Sequence, residues 1–269
     1  MCPAPVWSAH SFYHNSNLSD MAGHNKWSKV KHTKGPADAK RSNVFAKLSK
    51  EITVAAKSGG NPDMNARLRS AILNAKAVNM PSDTIERAVK KGTGELGGAV
   101  IEEIIYEGYG PGGVAMLVEV ATDNRNRSAQ DMRTMFSKNN GAFAEAGSVA
   151  YLFQRRGEVR LDHAAYTEEQ ATELALEVGA DDVAEEGDDW TIYTAQDRLF
   201  TVAAALKEKH ITPRSQRIIF QPATTITIAD PKTAQQLVRL YDTLDEYDDT
   251  QNVYANFELT DEAAEALSQ

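Results

Sequence analysis

IEEIIYEGYGPGGVAMLVEV, residues 101–120, is the stretch on which the reading of the fold turns. Its two ends, 101–107 and 114–120, are rich in Ile, Val and Tyr and read as strands. Between them GYGPGG (108–113) supplies glycines that permit the positive φ a tight turn needs. Before Ile101 the apolar spacing is helical; from Ile101 onward short strands alternate with helices. That order, helices first and then a mixed run, is the pattern of an α+β protein rather than of a helical bundle alone.

Downstream, 126–139 (NRSAQDMRTMFSKN) reads as a helix with Met132, Met135 and Phe136 inward, and 149–154 (VAYLFQ) as a strand. Then follow strand 157–162, helix 167–178, strands 181–186 and 190–194, helix 196–209 and strand 215–221. This run is βαββαβ, the ferredoxin-like order. Strand 224–229, helix 231–246 and strand 251–258 supply what the unit begun at 101 lacks. The sequence therefore predicts an α+β multidomain chain with two ferredoxin-like α+β units. The second, 156–222, is inserted in the first, 100–155 and 223–269.

Upstream, residues 21–99 read as a basic three-helix bundle. From Asp38 to Lys57, Val44, Phe45, Leu48, Ile52 and Ala55 fall on one side at 100° per residue, with Lys40, Lys47, Lys50 and Lys57 opposite. Gly59-Gly60 ends that helix and Asn61-Pro62 opens the next, with Met64, Leu68, Ala71, Ile72, Ala75 and Val78 inward. Pro81-Ser82-Asp83 starts a short third helix with Ile85, Ala88 and Val89 inward, closed by Gly92.

Charge separates the two regions. Residues 21–91 hold fifteen Lys and Arg against five acids, a net of +10; residues 92–269 hold fourteen against thirty-two, a net of −18. The overall −9 hides a basic lobe suited to a polyanion and an acidic lobe that is not. Electrostatic docking of one lobe on the other is the competing reading. The lysines of 38–57 mostly lack acids at i+4, Glu51 being nearly alone among them, so they repel one another until something anionic arrives. Ahead of them AGHNKWSKVKHTKG (22–35) reads as a flexible basic arm carrying His24, Lys26, Trp27, Lys29, Lys31, His32 and Lys34. Trp27 either stacks on a base or anchors the arm to the bundle. Lysines and histidines without an Arg, Asn or Gln reading set favour phosphate contact over base-edge readout. Lys40 and Arg41 continue the cationic series into the helix, and Arg125 and Arg127 stand where a helix N-terminus can hold an anion.

Composition narrows the function classes. With 269 residues, 42% hydrophobic and 25% charged, the chain is globular and about two domains long, which excludes disorder, collagen and coiled coil. No run of about 18 apolar residues is present, so no membrane partner is expected. One cysteine, Cys2, excludes an internal disulfide and thiolate zinc sites and fits a cytoplasmic setting. The first twenty residues have no Lys or Arg and no period, and read as a disordered leader ahead of a start at Met21. GYGPGG lacks the Lys-Ser/Thr of a P-loop; no G-x-S-x-G elbow, H-E-x-x-H pair or Cys–His nucleophile occurs, and the six histidines are scattered. The acid clusters at 181–182, 185–186, 188–189 and 245–249 read as a solvated rim. No enzyme, metal or cofactor is expected, and the absence of dimerisation heptads points to a monomer.

MAGHNKWSKVKHTKGPADAKRS (21–42), YEGYGPGGVAMLVEVATDNRNRS (106–128) and GSVAYLF (147–153) resemble the YebC/PmpR family, and the resemblance runs from Met21 to about Leu259. It implies three domains, one helical and two α+β, and no catalytic activity. It also implies either a probable DNA-binding transcriptional regulatory protein or a translation factor working on ribosomal RNA, with the transcription machinery or the ribosome as partner. A protein-interaction module is the third reading.

Overall fold

The computed structural model describes residues 37–268, so the leader (1–20) and the arm (22–35) lie outside the described residues. Among the described residues there are eight α-helices and ten strands, and no helix is long and apolar enough to cross a membrane.

Three helices open the chain: α1 (Ala37–Ala56), α2 (Ala66–Ala77) and α3 (Ser82–Gly92). Ile52, Ala55 and Ala56 meet Leu68, Ala71, Ala75, Met80, Ile85 and Ala88 in one core. The helix after Asn61-Pro62 starts later than expected. Asn65 is its cap, accepting from the Leu68 amide at 3.0 Å and donating to the Ala55 and Gly59 carbonyls at 2.7 and 2.9 Å. Residues 61–64 are therefore a turn that leaves Met64 86% exposed, and Val44 and Val78 are exposed as well.

The hairpin forms as read. Strand β1 (Glu102–Tyr109) pairs antiparallel with β2 (Ala115–Thr122) through a 3₁₀ turn at Pro111–Gly113, where Gly112 has φ +77°. Helix α4 (Arg125–Lys138) follows, then β3 (Ala142–Ala144), a short edge strand absent from the sequence reading. A Cβ at Gly108 would stand 2.8 Å from the Ala142 carbonyl oxygen and closer still to the Phe136 ring, so only glycine lets β3 and α4 come this near. Glu107 ties two of the quoted motifs together. Its buried carboxylate accepts from the amides of Gly147, Val149 and Ala150 at 2.6, 2.7 and 2.9 Å. Burial works to raise its pKa, but these amides outweigh it and hold the carboxyl below its usual range.

Residues 150–152 form a 3₁₀ turn, and the two strands expected at 149–154 and 157–162 are one, β4 (Phe153–Asp162). Then come α5 (Glu168–Glu177), β5 (Asp182–Glu186), β6 (Asp189–Ala195), α6 (Leu199–Glu208) and β7 (Ser215–Pro222). The sheet runs β5-β6-β4-β7, antiparallel throughout. Helices α5 and α6 pack on the face carrying Val159, Leu161, Trp190 and Ile192.

The expected strand 224–229 is shorter, β8 (Ile226–Ile228), and precedes α7 (Pro231–Asp245). The expected strand 251–258 breaks into β9 (Thr250–Ala255) and β10 (Phe257–Leu259), with α8 (Asp261–Ser268) beyond it. Asn256 makes the break by accepting from the Ala115 amide at 2.7 Å through its side chain, and β10 turns away to pair in parallel with β8. Strand β9 completes the first sheet, ordered β3-β1-β2-β9. Met116, Val118 and Val120 on β2 pack against Met132, Phe136, Leu237, Leu240 and Leu244 of α4 and α7. Ala115 and Leu117 on the opposite face pack with Val149, Phe153 and Phe220. Strand β2 is buried on both sides, which explains its nearly continuous apolar run.

On the second sheet, Glu158 faces away from α5 and α6. It is 3% exposed and held by Arg160 and Arg217 at 3.1 and 2.8 Å. Burial works to raise its pKa, but the two guanidiniums overcome this and push it down to about 2. The folded value lies below the unfolded value of about 4.3, so the stabilisation is present above that pH and is lost as pH falls toward 2. We predict that Glu158→Gln lowers stability at pH 7 by about 3 kcal/mol and flattens the pH dependence of the melting temperature below pH 4.3. Thermal melts from pH 7 to 2 check both, and parallel acid limbs for variant and parent count against the assignment.

Candidate nucleic-acid interface

His24, Lys26, Trp27, Lys29, Lys31, His32 and Lys34 lie outside the described residues. Lys40 and Arg41 fall in the first turns of α1, where only the backbone is described. Lys47, Lys50 and Lys57 can be followed in full, and they correct the expectation of an unpaired lysine face.

Lys47 Nζ donates to Asp245 Oδ1 and to the Asp245 carbonyl, both at 2.9 Å. One turn later Lys50 Nζ donates to Asp249 Oδ1 at 2.7 Å and to the Asp248 carbonyl at 2.5 Å. Lys57 donates to the carbonyl of Ile101. Lys47 and Lys50, two of the cations expected to await phosphate, thus grip the turn that joins α7 to β9. The apolar side of α1 faces α2 and α3, so its polar side is left to meet the sheets. The physical reason is local shortage: among the described side chains of α1 no acid pairs with these lysines, and the chain supplies carboxylates from 198 residues away.

Asp249 is the hub of this seam. Its second oxygen accepts from Thr122 Oγ1 and Arg127 Nη2, both at 2.9 Å, and Tyr247 closes the cluster through its hydroxyl to Asp131 at 2.8 Å. Burial works to raise the pKa of Asp249, but Lys50, Arg127 and Thr122 outweigh it and hold the carboxyl low. Arg127 also meets Asp123 at 2.9 Å, so it is not an open anion site; Arg125 beside it is exposed. Nor is the 245–249 run a solvated rim. Asp181, Asp189 and Glu186 are likewise paired, with Arg156 and Arg198, with Arg214, and with Arg160.

Two further contacts seat the bundle. Asn74 of α2 donates to the Gln216 carbonyl at 3.2 Å and accepts from the Gln216 amide at 3.1 Å, imitating a strand along the free edge of β7. Ser70 accepts from the Gln216 side chain at 2.7 Å. Nearby, Arg67 forks onto Glu103. Glu51 and Glu119 lie in the same region, and burial raises the pKa of each, although Asn252 and Tyr254 donate to Glu119 at 2.9 and 3.0 Å. Sequence reasoning missed Asp245, Asp249, Asn74 and Gln216. The acid run at 245–249 was visible, but nothing in it named its partner. Exposed cations of the bundle with no carboxylate partner among the described residues are Lys57 and Arg69, which donate to backbone carbonyls, and Lys76, Lys90 and Lys91.

These contacts set a ranking. Asp249→Ala strips partners from Lys50, Arg127 and Thr122 and should cost about 2–3 kcal/mol, more than Asp245→Ala, whose pair with Lys47 is partly exposed. Urea unfolding of the two variants checks the order, and equal losses would remove Asp249 as the hub.

Comparison with known proteins places this architecture. Residues 25–95 match the family described as TACO1/YebC protein N-terminal domain, and residues 101–257 match TACO1/YebC second and third domain. A protein of Akkermansia muciniphila called "Probable transcriptional regulatory protein" is 53% identical over 92% of this chain and 100% of its own length. One of Geobacter sulfurreducens, called "Probable transcriptional regulatory protein GSU1074", is 51% identical over 92% of this chain and 100% of its own. The crystal structure of a conserved hypothetical protein, Aq1575 from Aquifex aeolicus, superposes with a TM-score of 0.82 at 44% identity, covering 87% of this chain and 97% of that one. With both family segments matched and half the residues shared along nearly the whole length, the chain belongs to the TACO1/YebC family.

Proposed function

We propose that this protein is a non-enzymatic, nucleic-acid-binding regulator of gene expression, gripping phosphates through its amino-terminal basic arm. The observation that carries the proposal is the charge division: +10 over residues 21–91 against −18 over residues 92–269. Lys47 and Lys50 are taken up by Asp245 and Asp249, which moves the weight of the proposal onto His24, Lys26, Trp27, Lys29, Lys31, His32 and Lys34. The names of the relatives favour transcriptional regulation, and hence DNA, as the setting. In this reading the bundle is the basic domain, and the two α+β units, 156–222 inserted in 100–155 and 223–269, are its acidic support.

One observation favours RNA and the ribosome as the second reading. Helix α2 begins with the side chains that read base edges, yet Asn65 is engaged as its cap, Arg67 is paired with Glu103, and Arg69 donates to the Pro62 and Asp63 carbonyls. A helix so engaged has little left for the major groove, and recognition by shape and phosphate is the mode of structured RNA.

If about six phosphates are contacted, affinity should fall roughly a thousandfold between 50 and 200 mM salt. Replacing Lys26, Lys29, Lys31 and Lys34 together by Ala should weaken binding and flatten that salt dependence while leaving the thermal midpoint in place. Titration of labelled DNA and RNA measures both; an unchanged curve in the quadruple variant removes the arm. Crosslinking in cells, with sequencing of both bound polymers, separates promoter DNA from ribosomal RNA.

A further inference from the structure

A groove of about 390 Å³ runs between α1 and α3. Ser49 and Lys50 line its α1 wall, Thr84, Arg87 and Lys91 its α3 wall, and Leu96 of the following loop its lip. Positions 84, 87 and 91 stand at i, i+3 and i+7, so one stripe of α3 presents a hydroxyl and two cations in line, with Arg87 and Lys91 about 6 Å apart along the axis. Among the described residues Arg87 pairs only with Asp83, one turn away at 3.3 Å, with both side chains at least 70% exposed, so this pair holds it weakly. Lys91 is exposed and has no carboxylate partner among the described residues. Thr53 is already satisfied, donating to the Ser49 and Ala88 carbonyls, and it closes the floor. Leu96 is 57% exposed in a loop whose Gly94, Gly97 and Gly98 all have positive φ.

We propose that this groove is a second seat for a phosphodiester backbone, distinct from the arm. The inference rests on the nucleic-acid reading above and adds the residues that hold the strand once the arm has engaged it. Arg87 and Lys91 supply the charge, Ser49 and Thr84 hydroxyls donate to phosphate oxygens, and Leu96 offers an apolar surface to a sugar or base. Lys50 forms the inner wall, where Asp249 already holds it, so the site depends on the two α3 cations.

The test uses the full chain with a 16-base-pair DNA duplex and an RNA duplex of the same sequence, titrated from 50 to 200 mM salt. Arg87→Ala/Lys91→Ala should bind at least tenfold more weakly at 100 mM salt, with a log–log salt slope on DNA smaller by about 1.8, the value for two lost phosphate contacts. Its melting temperature should stay at the parent value, since both side chains are exposed. Arg87→Lys/Lys91→Arg should restore binding and slope. Which duplex shows the larger loss identifies the polymer whose backbone occupies the groove. Parent-like affinity and slope on both duplexes in the double-alanine variant, while the arm variant loses binding, would overturn the groove and leave the proposed function standing. Failure of the parent protein to bind either duplex would overturn both.

Discussion

Lys47 and Lys50 of α1 closing on Asp245, Asp248 and Asp249 ties the amino-terminal helices to the β3-β1-β2-β9 sheet. An amphipathic helix can bury its apolar stripe within its own bundle, and α1 does so with Ile52 and Ala55. Its polar stripe would remain a row of like charges. The turn between α7 and β9 answers that row with carboxylates and backbone carbonyls, and Asp249 passes the connection on to Thr122 at the end of β2 and Arg127 in the first turn of α4. Partly buried pairs of this kind contribute modest net stability, because desolvation offsets much of the attraction. What they contribute more strongly is placement: the basic bundle sits at one angle on the sheets because each carboxylate has one lysine to meet.

Much of the architecture was legible from hydrophobic period and turn chemistry. The hairpin about GYGPGG, the βαββαβ run and the three amino-terminal helices each follow from residues close together in sequence. What escaped the reading depends on partners far away. Asn256 breaks the last strand because Ala115 supplies an amide that its side chain can accept, and nothing near Asn256 announces this. Strand β3 is three residues long and is held by Gly108 and Phe136, too short to leave a period. Asn65 rather than Asn61 caps α2 because its amide can also reach the end of α1.

The site was less legible than the fold, for a related reason. Helical spacing correctly placed Lys47, Lys50 and Lys57 on one face, but spacing cannot say what that face meets. The total of acids and bases was equally compatible with an open cationic surface and with a closed seam, and the chain uses Lys47 and Lys50 for the seam. Arg127 repeats the lesson: its place at a helix start suited an anion, and Asp123 and Asp249 are the anions it found.

The distance along the chain between the two sides of that seam has a consequence for biosynthesis. Lys47 and Asp245 lie 198 residues apart, and β9, which completes the first sheet against β2, is made almost last. Chains grow from the amino terminus at about 5–20 residues per second, so for roughly ten seconds or more the basic helices exist before their internal counter-charges have been synthesised. Contacts of such separation also close late, since the intervening loop entropy must be overcome first. The nascent protein therefore passes through a stage more cationic at its surface than the finished one, and its final fold is sealed only when the carboxy-terminal carboxylates emerge.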